Sequence, residues 1–157
     1  MFDLDAYEER VLTGPCFVCA FLDGHPGYRH HVVYEDDTTI AFLNRWPTLR
    51  GYTLVCPKRH VEDWVSLPPT EFLTFQSVVQ RVASAIARVV PAERMYSLSL
   101  GSRQGNAHLH WHLAPLPPGV PYDQQQYHAL MAENGVLRVD DAGQSALAAR
   151  IREAAGG

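Results

Sequence analysis

Apolar residues recur at spacings of three and four in the middle of the chain, between Pro68-Pro69-Thr70 and Pro91. The members of this stripe are Phe72, Phe75, Val79, Val82, Ile86 and Val90. Such a period is typical of an amphipathic α-helix that buries one face. It predicts one long helix that has Thr70 as its N-cap and covers a face of a sheet.

Short apolar segments on both sides of this helix predict β-strands. Val32–Glu35 and Thr39–Leu43 flank a turn at Asp36-Asp37, which predicts a hairpin. Residues 52–56 and 95–100 predict a third and a fourth strand. Because mostly hairpin-length links join the strands and one long helix crosses a face, the pattern indicates an α+β domain with an antiparallel sheet.

Shorter helices are predicted towards both ends of the chain. The first predicted helix covers residues 3–12 and ends before Gly14-Pro15. The second covers residues 122–133 and is followed by Asn134-Gly135, and a terminal helix covers residues 144–154. No internal repeat or low-complexity region is visible, and a length of 157 residues suits one domain.

The composition limits the classes of function. The hydrophobic fraction of 46% and the charged fraction of 19% are those of globular proteins, and no run of about 18 apolar residues predicts a membrane span. The net charge of −4 argues against broad nucleic-acid binding and favours small molecules or proteins as partners. The acidic start Met1–Asp5 lacks the pattern of a signal peptide, so a cytoplasmic location is expected.

The chemistry is concentrated in residues 106–114, where three histidines alternate with apolar residues. The alternating positions are His108, Leu109, His110, Trp111, His112 and Leu113. A period of two predicts a fifth strand with the imidazoles on one face, roughly 6.5–7 Å apart, where they can line a phosphate-sized patch. The alternatives are an affinity tag, which would be consecutive and terminal, and ordinary hydrogen-bonded histidines of a strand.

The segment His108–Ala114 resembles the motif of the histidine triad family, in which His-x-His-x-His is followed by two apolar residues. The resemblance implies a five-stranded antiparallel sheet with one long packed helix and additional short helices. It also implies a single domain over residues 1–157, with a core at about 14–117 and a C-terminal extension at 118–157. Members of the family commonly form homodimers through the long helix and a neighbouring strand.

In the family that this segment resembles, the middle histidine attacks the α-phosphate of a nucleotide. The nucleotidyl-histidine is then resolved by water or another acceptor. By position His110 is the nucleophile, and His112 contacts the phosphate and the leaving group. A neutral imidazole is a competent nucleophile near pH 7, because its ordinary pKa is about 6.5. The predicted substrates are nucleoside phosphoramidates, dinucleoside polyphosphates or nucleotidyl adducts.

The same resemblance assigns a nucleotide pocket, with adenine as the favoured base. Residues that match the base sandwich are Phe17, Val18, Val32 and Phe42. Asn44 matches a ribose-binding aspartate but lacks the negative charge. Ordinary core packing accounts equally well for the four apolar residues, and a turn before Trp46-Pro47 accounts for Asn44.

The loop before the triad departs from the family pattern. Relatives carry Gln-Ser or Gln-Thr where this chain has Gln104-Gly105, so a hydroxyl that serves the phosphate is missing. Asn106 is a candidate replacement, and Ser99 is matched to a phosphate-contacting asparagine. The missing hydroxyl and the neutral Asn44 favour one alternative to a hydrolase or nucleotidyl transferase, namely a nucleotide-binding scaffold without turnover. A phosphorylase that uses phosphate as the acceptor is a further alternative, which the sequence does not distinguish from a hydrolase.

Cys16 and Cys19 have the spacing of a zinc knuckle, which needs two further ligands. Bacterial triad proteins and the related galactose-1-phosphate uridylyltransferases can complete such a site with a histidine of a Pro-Lys-x-His segment and the first triad histidine. The resemblance thus implies structural zinc held by Cys16, Cys19, His60 and His108. In that case only His110 and His112 remain for catalysis. Alternatively, His30 or His31 replaces His60, or the thiols are simply buried.

Overall fold

The computed structural model describes residues 3–156, and it has the expected α+β architecture. Met1, Phe2 and Gly157 lie outside the described residues, and so does the first part of the acidic start on which the cytoplasmic prediction depends. The strands are β1 (Val32–Glu35), β2 (Thr39–Leu43), β3 (Thr53–Pro57), β4 (Arg94–Ser99) and β5 (Trp111–Leu116). The helices are α1 (Leu4–Thr13), α2 (Phe17–Leu22), α3 (Pro69–Val89), α4 (Tyr127–Leu130) and α5 (Asp141–Ala155).

The sheet has five strands in the order β1-β2-β3-β5-β4, and every neighbouring pair is antiparallel. β1 and β2 form the predicted hairpin, in which Asp36 accepts hydrogen bonds from the backbone of Thr38 and Thr39. The five-stranded antiparallel sheet and the long helix confirm the predicted fold class.

One face of the sheet is covered by α3 and α5. Phe75, Val82 and Ile86 of α3 and Leu147 and Ile151 of α5 are buried in the same cluster. Burial of each such side chain contributes roughly 1.5–3 kcal/mol. Five of the six predicted stripe residues therefore face the sheet, Phe72 packs against Val61 and Leu67 instead, and α5 shares the layer.

The predicted N-cap of the long helix is wrong. α3 begins at Pro69 with Pro68 as the N-cap residue, so Thr70 lies inside the first turn. Proline suits the first helical position because its φ angle is already helical and its missing N–H would have no intrahelical partner there.

The single helix predicted over residues 122–133 is also wrong. This segment forms a 3₁₀ turn at Tyr122–Gln124, the one-turn helix α4 and a second 3₁₀ turn at Ala132–Asn134. Gln126 interrupts the helical path, because its φ angle of 56° lies in the left-handed region. Its backbone N–H donates to the hydroxyl of Tyr96 in β4 at 2.9 Å, which ties the interruption to the sheet.

The opposite face of the sheet carries a second apolar cluster, against which α2 packs. Its buried members are Val18, Ile40, Phe42, Leu49, Tyr52, Leu54, Cys56 and Ala114. The candidate site lies on this side, between α1, α2 and the segment that precedes β5. Among residues 3–156, no helix combines the length and the apolar content needed to cross a bilayer.

Candidate active site and metal centre

Only one of the three triad histidines belongs to the sheet. β5 begins at Trp111, which lies opposite Val55 of β3, so His112 is in the strand while His108 and His110 precede it. The prediction that a single strand carries all three imidazoles is therefore wrong.

The chain leaves the sheet because Leu109 is held elsewhere. Its backbone N–H donates to the carbonyl of Val61, in the loop after β3, at 2.6 Å. Its side chain is buried with Val61 and Leu67. Leu109 and Leu113 of the run are thus buried, Leu109 outside the sheet, whereas Trp111 is only partly buried.

His110 is held by a backbone carbonyl two residues earlier. Its Nδ1 lies 2.7 Å from the carbonyl oxygen of His108, which can only accept, so Nδ1 carries the hydrogen and Nε2 carries the lone pair. Burial lowers the pKa of His110, and the ring is neutral near pH 7. Phe17 packs edge-on against this ring with centroids 5.3 Å apart. His110 is therefore an oriented neutral imidazole with one free nitrogen.

His112 stands beside this ring, with the two ring centroids 4.8 Å apart. Its Nδ1 lies 2.9 Å from the hydroxyl of Tyr52. Its Nε2 is buried and has no hydrogen-bond partner within residues 3–156. Burial, together with the neighbouring His110, lowers the pKa of His112 to about 3. The two imidazoles form one neutral pair.

His108 turns away from this pair and joins the two cysteines and His60. The ligand atoms of Cys16, Cys19, His60 and His108 all lie within 4.8 Å of one another. Cys16 Sγ and His108 Nδ1 are 3.4 Å apart, and Cys19 Sγ lies 3.4 Å from His60 Nδ1 and 3.7 Å from His108 Nδ1. The two Nδ1 atoms are 3.2 Å apart. The structure thus brings together the four residues that the sequence nominates as metal ligands.

The spacing of these atoms suits zinc. In a tetrahedral site with Zn–S of about 2.3 Å and Zn–N of about 2.0–2.1 Å, neighbouring ligand atoms lie roughly 3.3–3.8 Å apart. His108 is also in the correct tautomer, because its Nε2–H donates to the carbonyl of Pro57 at 2.8 Å and leaves the Nδ1 lone pair towards the thiols. His60 Nε2 lies 3.7 Å from a carboxylate oxygen of Glu62. These four residues can therefore hold a metal ion.

A cleft of about 290 Å³ opens beside His110 and His112. Its lining includes Tyr7, Arg10 and Val11 of α1, Phe17 of α2, residues 44–46, residues 103–108, His110 and His112. Three arginines, at positions 10, 45 and 103, line it together with a single carboxylate, that of Glu62. The cleft therefore favours an anion, although the whole chain is acidic.

The predicted base and ribose residues are divided between the cleft wall and the layer behind it. Phe17 and Asn44 line the cleft. Phe42 and Val18 are completely buried behind the wall, and Phe42 supports His30, whose ring stacks on it at 4.4 Å. The Oδ1 of Asn44 accepts from the backbone of Trp46 at 2.9 Å, which leaves its amide NH₂ group as a donor for a ligand.

The predicted phosphate loop is covered by α1. Gln104 and Asn106 line the cleft, and the Nδ2 of Asn106 donates to the hydroxyl of Tyr7 at 3.3 Å. A Cβ atom at Gly105 would lie 2.4 Å from Cγ1 of Val11, so α1 fills the space that a side chain would need. Ser99 is not among the lining residues described, and its hydroxyl donates to the carbonyl of His110 at 3.1 Å.

Sequence reasoning did not place five residues in the cleft or beside the triad, namely Tyr7, Arg10, Tyr28, His30 and Tyr52, and it considered His30 only as a metal ligand in place of His60. Four of them line the cleft, and Tyr52 contacts His112. His30 is partly buried near Arg45 and Arg10, and desolvation is the main reason why its pKa falls to about 4. The side chains come from α1 and from loops far from the triad, so no local motif indicates them.

Comparison with known proteins agrees with the geometry. Residues 18–118 match the family model of the HIT domain, in which HIT stands for histidine triad. The chain belongs to the HIT family. A HIT-like protein of Mycobacterium tuberculosis, named as uncharacterised, is 35% identical over 106 residues, which are 66% of this chain and 72% of that protein. The predicted family and its fold are thereby confirmed.

Solved HIT structures cover nearly the whole chain. A hypothetical histidine triad nucleotide-binding protein from Sulfolobus tokodaii aligns with a TM-score of 0.72 and 25% identity, over 90% of this chain and 92% of that one. A zinc-bound histidine triad protein from Mycobacterium smegmatis aligns with a TM-score of 0.69 and 26% identity, over 90% and 93%. The likeness to these HIT proteins therefore extends beyond the matched domain.

Proposed function

We propose that this HIT protein cleaves a bond at the α-phosphate of a nucleotide through a covalent intermediate on His110. The observation that carries the proposal is the hydrogen bond from His110 Nδ1 to the carbonyl of His108 at 2.7 Å, which leaves the Nε2 lone pair for attack. Candidate substrates are a nucleoside phosphoramidate, a dinucleoside polyphosphate or a nucleotidyl adduct. Adenine is the preferred base.

The reaction proceeds in two displacements. The Nε2 lone pair of His110 forms a bond to phosphorus while the bond to the leaving group breaks, and the leaving group keeps that electron pair and takes a proton from water. A second water then attacks phosphorus, the N–P electron pair returns to Nε2, and the excess proton passes to solvent. Splitting one displacement into two easier steps is the advantage of a covalent intermediate.

The surroundings of His110 favour the first displacement. The imidazole becomes cationic when Nε2 binds phosphorus, and the His108 carbonyl at 2.7 Å from Nδ1 stabilises that charge. Three arginines that line the cleft attract the phosphate groups. The neutral ring of His112, 4.8 Å from that of His110, provides a hydrogen-bond donor beside the reaction.

The intermediate is testable directly. The protein is mixed with adenosine 5′-phosphoramidate, quenched without acid and measured by intact mass spectrometry. We expect an adenylyl adduct on the unaltered protein and on His128→Ala, an exposed histidine outside the cleft lining. His110→Ala should form no adduct. Continued turnover by His110→Ala would overturn the proposal.

A non-catalytic nucleotide-binding protein is the second candidate. It is favoured by the packing of Val11 against Gly105, which excludes the hydroxyl that relatives carry in this loop. Binding of AMP by calorimetry without product from any of the three substrate classes would support it. If turnover occurs, product analysis with and without added phosphate separates a hydrolase from a phosphorylase.

We also propose that Cys16, Cys19, His60 and His108 bind structural zinc. The two thiols and the two Nδ1 atoms support it, because four of their six separations are 3.2–3.7 Å and all lie within 4.8 Å. A bound zinc ion would tie α2 to the segment that leads into His110, without itself taking part in the reaction. That a histidine triad protein from Mycobacterium smegmatis with 26% identity is zinc-bound supports the presence of a zinc ion in this chain too.

A homodimer remains a prediction that sedimentation can test. Its support is that β4 pairs only with β5 in the described sheet, so one edge of β4 is open to a second copy. The cytoplasmic location also stays a prediction.

A further inference from the structure

Tyr52 is fixed in the layer behind the two reacting histidines. Its side chain is 5% exposed, and its residue directly precedes β3. Its backbone N–H donates to the carbonyl of Leu49 at 3.1 Å, and its carbonyl accepts from Asn44 at 2.8 Å. Gly51 has a φ angle of 82°, and a Cβ atom there would lie 2.9 Å from Val90. The backbone at Tyr52 is therefore fixed, and it holds the phenol hydroxyl next to His112.

We propose that Tyr52 is a positioning residue that donates its hydroxyl hydrogen to Nδ1 of His112 and thereby holds the hydrogen of His112 on Nε2. The two atoms lie 2.9 Å apart, and the rings meet at 80° with centroids 5.8 Å apart. A neutral imidazole has one N–H, so an Nδ1 that accepts leaves an Nε2 that donates. The catalytic consequence rests on the proposed function, whereas the tautomer does not.

Two further observations support this proton arrangement. Burial raises the pKa of Tyr52 to about 12, so the phenol keeps its hydrogen throughout the physiological range. The Nε2 of His112 is buried and has no hydrogen-bond partner among residues 3–156, as expected for a donor that awaits a ligand oxygen.

The arrangement gives neighbouring histidines opposite tautomers. His110 donates through Nδ1 to a carbonyl and presents the lone pair of Nε2. His112 accepts at Nδ1 from Tyr52 and presents the hydrogen of Nε2. A nucleophile and a hydrogen-bond donor thus face one cleft, and a phosphate oxygen is the acceptor that this donor fits.

The tautomer can be measured in the whole protein without substrate. Long-range ¹H–¹⁵N correlation spectra of the ¹⁵N-histidine protein distinguish N–H at Nδ1 from N–H at Nε2, and His112→Ala assigns the signals. We expect His112 to carry its hydrogen on Nε2, and Tyr52→Phe to give a mixture of tautomers. Tyr34→Phe, which removes a hydroxyl bonded to Asp36 outside the cleft lining, should change nothing at His112. Hydrogen on Nδ1 of His112 in the unaltered protein, or an unchanged tautomer in Tyr52→Phe, would overturn the proposal.

Kinetics provide a second readout. Tyr52→Phe keeps the buried ring, so we expect kcat to fall roughly 10-fold while KM changes less than about 2-fold. If Tyr34→Phe lowered kcat and the melting temperature as much as Tyr52→Phe does, the effect would reflect general destabilisation. That result would contradict a positioning role for Tyr52. Failure of the unaltered protein to form the His110 adduct would end the proposed function, while the spectra would still decide the role of Tyr52.

Discussion

Two histidines that are two residues apart belong to two adjacent regions of this HIT protein. His108 is a member of the metal cluster of Cys16, Cys19, His60 and His108, part of which lines the cleft, whereas His110 lines the cleft outside that cluster. Each donates one ring N–H to a backbone carbonyl, but His108 uses Nε2 towards Pro57 and His110 uses Nδ1 towards His108. The free nitrogen is consequently Nδ1 in one ring and Nε2 in the other. The backbone carbonyl that each ring contacts therefore determines which ring nitrogen keeps its lone pair, and with it what the histidine can bind.

The protonation states of His108 and His110 do not distinguish the two regions. Burial is the main cause that lowers the pKa of His108 to about 4, and burial also lowers the pKa of His110. Both rings are therefore neutral near pH 7, and each offers a lone pair. The difference is that two thiols face the lone pair of His108, whereas a cleft with three arginines faces that of His110.

Removal of His110 should have the largest effect and should be confined to the cleft. His110→Ala is expected to lower kcat/KM by about 10³-fold or more, because the substitution removes the imidazole on which the proposed covalent intermediate forms. Zinc content, measured by atomic emission, should stay unchanged, and so should the α-helical circular dichroism. A parallel loss of zinc would contradict the separation of the two regions.

The metal cluster should determine stability rather than chemistry. Replacing both Cys16 and Cys19 by Ser should abolish zinc binding and lower the free energy of unfolding by roughly 3 kcal/mol or more, because zinc binding is coupled to folding. Zinc stoichiometry and thermal unfolding measure the effect. The control is Cys56→Ala, which removes a thiol that is buried in the sheet outside the cluster. A doubly substituted protein with full zinc content would refute the assignment.

The sequence predicts features whose signal is local. The period of the stripe from Phe75 to Val90 is enough to predict α3, and the turn at Asp36 is enough for the hairpin. The alternation in the histidine run correctly separates imidazoles from apolar side chains, but it cannot say that β5 begins only at Trp111. That boundary depends on the bond of Leu109 to the loop after β3.

The parts that sequence reasoning missed are contacts between distant segments. Tyr52 and His112 are 60 positions apart, and no spacing rule connects them. Val11 contacts Gly105 only because α1 folds across the predicted phosphate loop. The missing hydroxyl at position 105 is visible in the sequence, whereas its steric reason is not.

A hydroxyl restored at position 105 should disturb the cleft without altering the metal cluster. Gly105→Ser places a Cβ atom against Val11 Cγ1, at 2.4 Å before relaxation, so α1 must shift. We expect a loss of about 1–3 kcal/mol in the free energy of unfolding and no gain in rate. Thermal unfolding and steady-state kinetics measure both effects.

Combining Gly105→Ser with Val11→Ala distinguishes the steric effect of the added side chain from the effect of its hydroxyl on the reaction. It removes the two Cγ atoms of Val11, so stability lost in Gly105→Ser should partly return in the double variant. If the added hydroxyl contacts the phosphate, kcat of the double variant should exceed that of Val11→Ala alone. Full stability in Gly105→Ser alone would refute the packing of α1 against this loop.

The smallest effect is expected at Asn44, the residue predicted to bind ribose. In Asn44→Asp, one carboxylate oxygen can accept from the backbone N–H of Trp46, as Oδ1 of Asn44 does at 2.9 Å. The other oxygen adds a negatively charged acceptor for ribose hydroxyls. We expect KM to fall by about 2–5-fold with kcat and zinc content unchanged, because the change strengthens binding of the substrate and of the transition state equally. Gln124→Glu adds the same charge at an exposed position outside the cleft lining and should leave KM unaltered. A changed kcat with constant KM would instead connect Asn44 to the reacting phosphate, and the cleft would then have a different orientation for its nucleotide.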